Sequence, residues 1–279
     1  MLSYSQKPYD LTKNIGVIGC GWFGLPLAKA LVKEGHMVHG STTAADKQKT
    51  LLSVGIVPFI ISLSENGITG PIASFLETLT ILVINVPPRL RSGHKEDYTK
   101  KMKFLLEAIN SSGVQKVIFI SSTSVYGDIE GEVTEATIPQ PATVSGKQML
   151  ISETIFIQAK NIQTTIVRFG GLIGPNRHPI TRLAGRKGLA NGNAYLNLIH
   201  LDDCIGVVQQ ILQKDYWDEI FNAVYPYHPR KSEYYTAQAL KRGLEPPEYT
   251  IGKGISGKQI SSKNLIDVKN YQFVTSIVE

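Results

Sequence analysis

Gly19, Gly21 and Gly24 stand at the spacing G-x-G-x-x-G, the arrangement in this sequence with the most specific chemical meaning. An apolar run, Ile15 to Ile18, precedes them, and an apolar helical pattern from Leu25 through Leu31 follows. A strand, a tight turn and a helix therefore fall in succession. Gly19 lets the chain turn sharply, Gly21 removes the side chain that would hold backbone amides away from a pyrophosphate, and Gly24 lets the helix pack close to the strand. The pyrophosphate would sit at the positive end of that helix, beside Trp22 and Phe23. The pattern predicts a dinucleotide cofactor site; the alternative is a turn that serves structure alone.

The second strand of such a fold often ends on an Asp or Glu that accepts hydrogen bonds from the adenosine ribose and so selects NAD. Here the strand His36 to Gly40 runs into Ser41, Thr42 and Thr43, with Lys47 one turn on and no carboxylate at the corner. Hydroxyls and an ammonium tolerate a 2′-phosphate, so the corner favours NADP over NAD. The same three residues could instead cap the next helix. Val86-Pro87-Pro88-Arg89 ends a later strand at the edge where ligands bind in open α/β sheets. Val86 and Pro87 read either as cofactor wall or as a strand stop.

These residues need a scaffold that brings strand ends together. The apolar strands Gly55 to Ser62, Leu79 to Val86 and Lys116 to Ser121 alternate with helical stretches. Tyr98 to Asn110 carries Met102, Leu105, Leu106 and Ile109 at helical spacing, and Gly35 reads as the cap of a first helix ending at Glu34. That alternation predicts an α/β fold, a doubly wound parallel Rossmann sheet buried on both faces. Past Gly171 the chain becomes loop-rich, so residues 1–170 read as the dinucleotide domain and 171–279 as a smaller C-terminal substrate-binding region. A segment near 195–225 is expected to return to the sheet. There a helix, Ile205 to Gln213, is entered at Asp202 or Asp203, and an edge strand, Ile220 to Val224, follows. Ser232 to Arg242 reads as a helix ended by Gly243.

Composition narrows the class. The chain has 279 residues, 42% hydrophobic and 19% charged, which describes an ordinary globule with a sizeable core. Its net charge of +6 comes from scattered Lys and Arg, with no basic run or nucleic-acid motif, so no nucleic-acid partner is expected. Apolar stretches are too short to span a membrane, and Met1 to Lys13 lacks a secretory core, which predicts the cytoplasm. Two cysteines, Cys20 and Cys204, offer neither a disulfide framework nor metal-ligand spacing, so no metal is expected. Arg177, Arg182, Arg186 and Lys187 put positive side chains in one loop region. They read either as donors to an anionic small-molecule substrate or as a solvated face. His178 and His200 read as structural.

The stretch Ser121-Ser122-Thr123-Ser124-Val125-Tyr126-Gly127-Asp128 resembles the serine strand and VYG corner of the extended short-chain dehydrogenase/reductases, the NAD(P)-dependent epimerase/dehydratase group. The likeness continues at Glu135, Pro141, Arg168 to Pro175, Asn197 to Asp203 and Gly257 to Leu265, in order along nearly the whole chain. The resemblance implies an NAD(P)-dependent oxidoreductase or epimerase acting on a small molecule of the sugar-nucleotide kind, and a homodimer. In that family a Tyr and a Lys four residues apart work opposite a Ser or Thr. The ammonium lowers the phenol pKa and holds the nicotinamide ribose, while the hydroxyl steers the substrate oxygen. By resemblance the hydroxyl falls on Ser122 and the Lys on Lys147, with Glu153 beyond it; the Tyr falls on Thr143.

That departure opens three readings, because an aliphatic hydroxyl has no accessible anionic form. In one, the protein is an enzyme whose acid is Tyr126, Tyr98 or a water held by Thr143 and Lys147. Tyr98 stands near the place of the family's relay Asn, and the favoured alternative for Tyr126 is a wall residue packed beneath the substrate pocket. In the second, it binds the cofactor without catalysis, as a sensor or a partner subunit. In the third, it is a scaffold with an empty fold.

Overall fold

A computed structural model describes residues 12–88, 96–250 and 257–278 of the chain. In chain order the strands are β1 Asn14–Ile18, β2 Met37–Thr42, β3 Ile56–Ile60, β4 Ser62–Ser64, β5 Gly67–Thr69, β6 Ile81–Ile84, β7 Lys116–Ser122, β8 Gly131–Val133, β9 Gln163–Phe169, β10 Gly171–Ile173, β11 Leu198–His200, β12 Ile220–Ala223 and β13 Lys258–Ile260. The helices are α1 Gly24–Lys33, α2 Lys47–Leu52, α3 Ile72–Leu76, α4 Tyr98–Asn110, α5 Val144–Ile157, α6 Ile180–Leu183, α7 Leu201–Lys214 and α8 Lys231–Lys241. Seven strands form one parallel sheet in the order β12-β9-β7-β6-β1-β2-β3. Its order is the doubly wound one with a seventh strand added at the edge.

Side chains that alternate along the central strands explain why both faces are covered. Ile15, Val17, Ile81 and Val83 point into a core shared with Leu27, Ala28 and Leu31 of α1 and Val207, Val208 and Ile211 of α7. Ile18, Leu82 and Ile84 point the other way, against Met102, Leu105 and Ile109 of α4 and Met149 and Phe156 of α5. A third, smaller core holds Ile173, Ile180, Leu196, Leu198, Tyr234, Tyr235 and Ile277, under the loop-rich region. No helix among the described residues is long and apolar enough to cross a membrane.

The apolar stretch Gly55 to Ser62 is not one strand. β3 ends at Ile60, and β4 and β5 form an antiparallel hairpin of their own. The helix expected from Ile205 begins at Leu201, and neither Asp202 nor Asp203 caps it. The His200 ring does, with Nδ1 accepting from the Asp202 amide at 3.2 Å. Asp203 is buried and serves the C-terminal tail, accepting from the amides of Val274 (2.8 Å) and Thr275 (3.0 Å). Of the Pro-Pro corner, Arg89 lies outside the described residues.

Candidate functional site

Register brings the first two candidate walls together. β1 and β6 pair so that Ile18 lies opposite Ile84, and the Asn85 amide donates to Ile18 O at 3.0 Å. The glycine turn and the strand end at Asn85 are therefore neighbours, and Asn85 Nδ2 donates to Gly19 O at 2.9 Å. Gly19 has φ +100, and a Cβ there would sit 2.4 Å from Asn85 O; a Cβ on Gly24 would sit 2.2 Å from Gly19 O. Both must be glycine for the turn to close. Gly21 is different, since a Cβ there would meet no protein atom within 4 Å.

That empty space opens on a cleft of about 490 Å³. Gly19, Gly21, Trp22, Phe23, Ser41, Thr42, Thr43, Lys47, Val86 and Pro87 all line it. No side chain caps the N-terminus of α1, and the Trp22 and Phe23 amides have no acceptor among the described residues. Free amides, a missing side chain and the positive end of a helix fit a diphosphate. The residues present thus suit a dinucleotide.

At the second strand's corner the hydroxyls are partly committed. Ser41 Oγ accepts from the Gly19 amide at 2.9 Å, and Thr42 Oγ1 from the Ala44 amide at 3.1 Å; both residues are buried. Ser41 thereby fixes the glycine turn. Thr43 and Lys47 are the exposed donors of the group. Cys20 also lines the cleft, but burial pushes its thiol up to about 12, so it is inert packing.

Ser122, Thr143 and Lys147 do not line this cleft. Ser122 ends β7, one strand along from β6 at the same carboxyl edge, and its Oγ accepts from the Ser124 amide at 3.2 Å. Thr143 does not share a helical face with Lys147, because it is the N-cap of α5 with extended φ −104° and ψ 154°. Its Oγ1 accepts from the Gly146 amide at 3.0 Å. The start of α5 lies against the turn after Ser122, since a Cβ on Gly146 would come within 3.0 Å of Ser124 O. Lys147 follows directly; it is exposed and has no ion pair among the described residues.

The family model described as "NAD dependent epimerase/dehydratase family" matches residues 15–223. The chain belongs to that family. It is 33% identical over 260 residues to Protein YeeZ of Escherichia coli (strain K12), covering 90% of this chain and 94% of YeeZ. It resembles the structure of a putative NAD-dependent epimerase/dehydratase from Methylobacillus flagellatus, at 26% identity and TM-score 0.73 over 95% of this chain and 93% of that one. It shares the fold of the UDP-glucuronic acid 4-epimerase from Bacillus cereus solved in complex with NAD, at TM-score 0.78 and 19% identity over 94% and 92%.

In this epimerase/dehydratase relative the two tyrosines expected as substitute acids are withdrawn. Tyr126 is fully buried, donates to Asn222 Oδ1 at 2.8 Å and accepts from Arg168 Nη1 at 2.9 Å. Arg168 in turn grips Glu153 through Nη2 at 2.6 Å and Nε at 3.1 Å, and Ser121 Oγ donates to the same carboxylate. Tyr98 is buried too and donates to Val86 O at 2.8 Å, bracing the cleft wall from behind. Burial raises both phenol pKa values, which is opposite to what an acid for neutral pH requires. Neither tyrosine lines the cleft, and the hydroxyl of each is committed to a partner inside the protein.

Other lining residues escape a sequence reading. Ser62, Leu63 and Ser64 of the β4 hairpin form one wall, and Asn85, Leu172, Glu96 and Lys101 contribute elsewhere. Only the strand-end position of Asn85 signals its place. Arg177, expected toward a substrate, lines the cleft and stacks 4.8 Å from the Trp22 ring centroid. Lys187 pairs instead with Glu248 at 2.9 Å on the surface. His178 lies in a structural chain, its Nε2 3.0 Å from Tyr234 Oη and its Nδ1 accepting from the Ile180 amide.

Proposed function

We propose that this chain binds a nicotinamide dinucleotide in the cleft between the glycine turn and Pro87, and is an enzyme of the epimerase/dehydratase type acting on a sugar-nucleotide-like anion. The empty space beside Gly21, next to the Trp22 and Phe23 amides that have no acceptor among the described residues, is the observation that carries it. A UDP-sugar is the substrate class named for the Bacillus cereus epimerase, which shares the fold. A bound nicotinamide would supply reversible hydride acceptance.

The chain's own residues divide the remaining work. Gly19, Gly21 and Gly24 shape the turn, Trp22 and Phe23 offer their amides, and Val86 and Pro87 with Ser41 and Thr42 wall the cleft. Thr43 and Lys47 serve the 2′ position of the adenosine ribose, and with no carboxylate among residues 40–43 the corner supports NADP over NAD. Lys147 holds the nicotinamide ribose. Ser122 Oγ accepts from the Ser124 amide and keeps its hydrogen for a substrate oxygen. Thr143 likewise keeps its hydrogen while capping α5, and with Lys147 it holds the water that moves the proton.

A second reading has its own support. With the Tyr126 and Tyr98 hydroxyls both committed in the interior, neither tyrosine expected as an acid is free to serve beside Ser122, which suits a protein that binds NADP(H) without turnover. Two measurements separate the readings. Calorimetric titration with NADPH and NADH tests the cofactor, with NADPH expected to bind more tightly; no binding of either at millimolar concentration overturns both readings. Incubation with UDP-sugars then tests catalysis. Turnover lost in Ser122→Ala and Lys147→Ala supports the enzyme, whereas nucleotide binding with no turnover across the panel supports the second reading.

A further inference from the structure

The proposed diphosphate carries charge that the free amides of Trp22 and Phe23 alone do not match, and the cleft holds two other cations besides the Arg177 guanidinium, Lys101 and Lys47. Lys101 is tied to the carboxylate of Glu96. Lys47 and Thr43 follow the end of β2, at the corner assigned above to the ribose 2′ position. Lys147 lies outside the cleft lining. Arg177 alone stands beside the glycine turn without a carboxylate partner among the described residues.

Its position is built. Gly174 and Arg177 exchange two backbone hydrogen bonds, each 3.0 Å, around Pro175 and Asn176. Asn176 has φ +57, so a proline followed by a left-handed residue closes a tight turn. Trp22 Nε1 donates to Pro175 O at 3.0 Å, which fastens this turn to the start of α1. The guanidinium then lies over the Trp22 ring, 4.8 Å from its centroid. Stacking on an aromatic face fixes the plane of a guanidinium and leaves its edge donors free.

Resting on the proposed cofactor reading, we infer that Arg177 is a positioning residue for the dinucleotide diphosphate, reaching back from the loop after β10 and held in place by Trp22. The residue belongs to the region expected to form the substrate wall, so the same turn links cofactor and substrate sides of the cleft. A substrate diphosphate is the other source of the same chemistry, and the choice of ligands separates the two.

Calorimetry is run on the full chain with NADPH, ADP-ribose, adenosine and UDP-glucose, comparing wild type with Arg177→Gln and Arg177→Lys. Arg177→Gln keeps the side-chain stem over Trp22, and unchanged thermal unfolding without ligand confirms that it folds. The expected result is about tenfold weaker binding of both NADPH and ADP-ribose in Arg177→Gln, a smaller loss in Arg177→Lys, and unchanged adenosine affinity. Emission from Trp22 gives a second readout, because the only other tryptophan, Trp217, is hydrogen-bonded to Asp215 Oδ1 at 3.0 Å, away from the cleft lining. ADP-ribose affinity within twofold of wild type in Arg177→Gln overturns the inference and leaves the cofactor reading intact. So does a loss confined to UDP-glucose, which assigns the guanidinium to the substrate. Wild-type protein that binds neither NADPH nor ADP-ribose fails the cofactor reading itself.

Discussion

At the scale of single residues, Gly21 separates ligand binding from folding. Gly19 and Gly24 are constrained by protein atoms, so an added methyl at either breaks the turn itself. At Gly21 a methyl meets only open cleft. Gly21→Ala is therefore expected to leave thermal unfolding of the free protein within about 1 °C of wild type, since surface changes usually cost under about 0.5 kcal/mol. Nucleotide affinity in the same variant should fall by tenfold or more, roughly 1.4 kcal/mol. Equal affinity for NADPH would mean that the dinucleotide does not use this turn. Glu135 illustrates the opposite situation, a charge set by the interior. Its Oε1 accepts from the amides of Asn222 (3.0 Å) and Asn264 (3.3 Å), while buried Oε2 has no partner among the described residues. Burial raises its pKa above the ordinary carboxylate value. Such a carboxyl binds its proton more tightly folded than unfolded, so its stabilising contribution is complete below the unfolded value and is lost as pH rises through the folded one. Denaturant unfolding of wild type and Glu135→Gln between about pH 4 and pH 7 should show the wild type losing stability relative to the variant as pH rises. Parallel pH profiles would contradict this.

Elements explain both the agreement and the gaps between sequence and structure. Helical spacing of Met102, Leu105 and Ile109 predicts a helix over Tyr98 to Asn110, and α4 has those bounds because its apolar face packs on the sheet. The glycine turn is equally legible, since strand, turn and helix are local. By contrast β4 and β5 have three residues each, too few for a two-residue period to show. The His200 cap is hidden for another reason: two acidic residues follow it, and nothing local reveals that the C-terminal tail claims Asp203. Arg177's placement depends on a turn meeting α1 across more than 150 residues of chain, beyond any window of pattern. Thr143 shows what resemblance alone misses, because its alignment with a catalytic Tyr conceals a role at the start of α5. Thr143→Ala removes the acceptor for the Gly146 amide and is expected to cost about 1 kcal/mol of stability, with Thr143→Ser close to wild type. Denaturant midpoints measure this. A Thr143→Ala variant as stable as wild type would mean the cap is unimportant.

Across the whole molecule, the far end of the chain closes the region that carries the proposed substrate wall. Asp203, at the start of α7, accepts from the amides of Val274 and Thr275, and Tyr271 Oη lies 3.4 Å from Oδ1. Tyr234 of α8 donates to Ile277 O at 2.8 Å, and its oxygen lies 3.0 Å from His178 Nε2. Residues 274–277 thereby form one side of a cavity of about 270 Å³ whose other sides include Gly174, His178 and Arg242. One carboxylate thus joins α7, which packs on the Rossmann core, to a tail that packs against α8. Hydrogen bonds to a charged acceptor contribute about 1.5–3 kcal/mol, so Asp203→Ala should lower stability by at least that much, and Tyr234→Phe by about 1 kcal/mol. The tail should also become cleavable by protease in Asp203→Ala before the rest of the chain. NADPH affinity should not change, because neither residue lines the cleft proposed for it. A tail that stays protected in Asp203→Ala would show that apolar contacts such as Ile277 in the third core hold it without the carboxylate, and an accompanying loss of NADPH affinity would show that the tail and the cleft are coupled through the Gly174 to Arg177 turn.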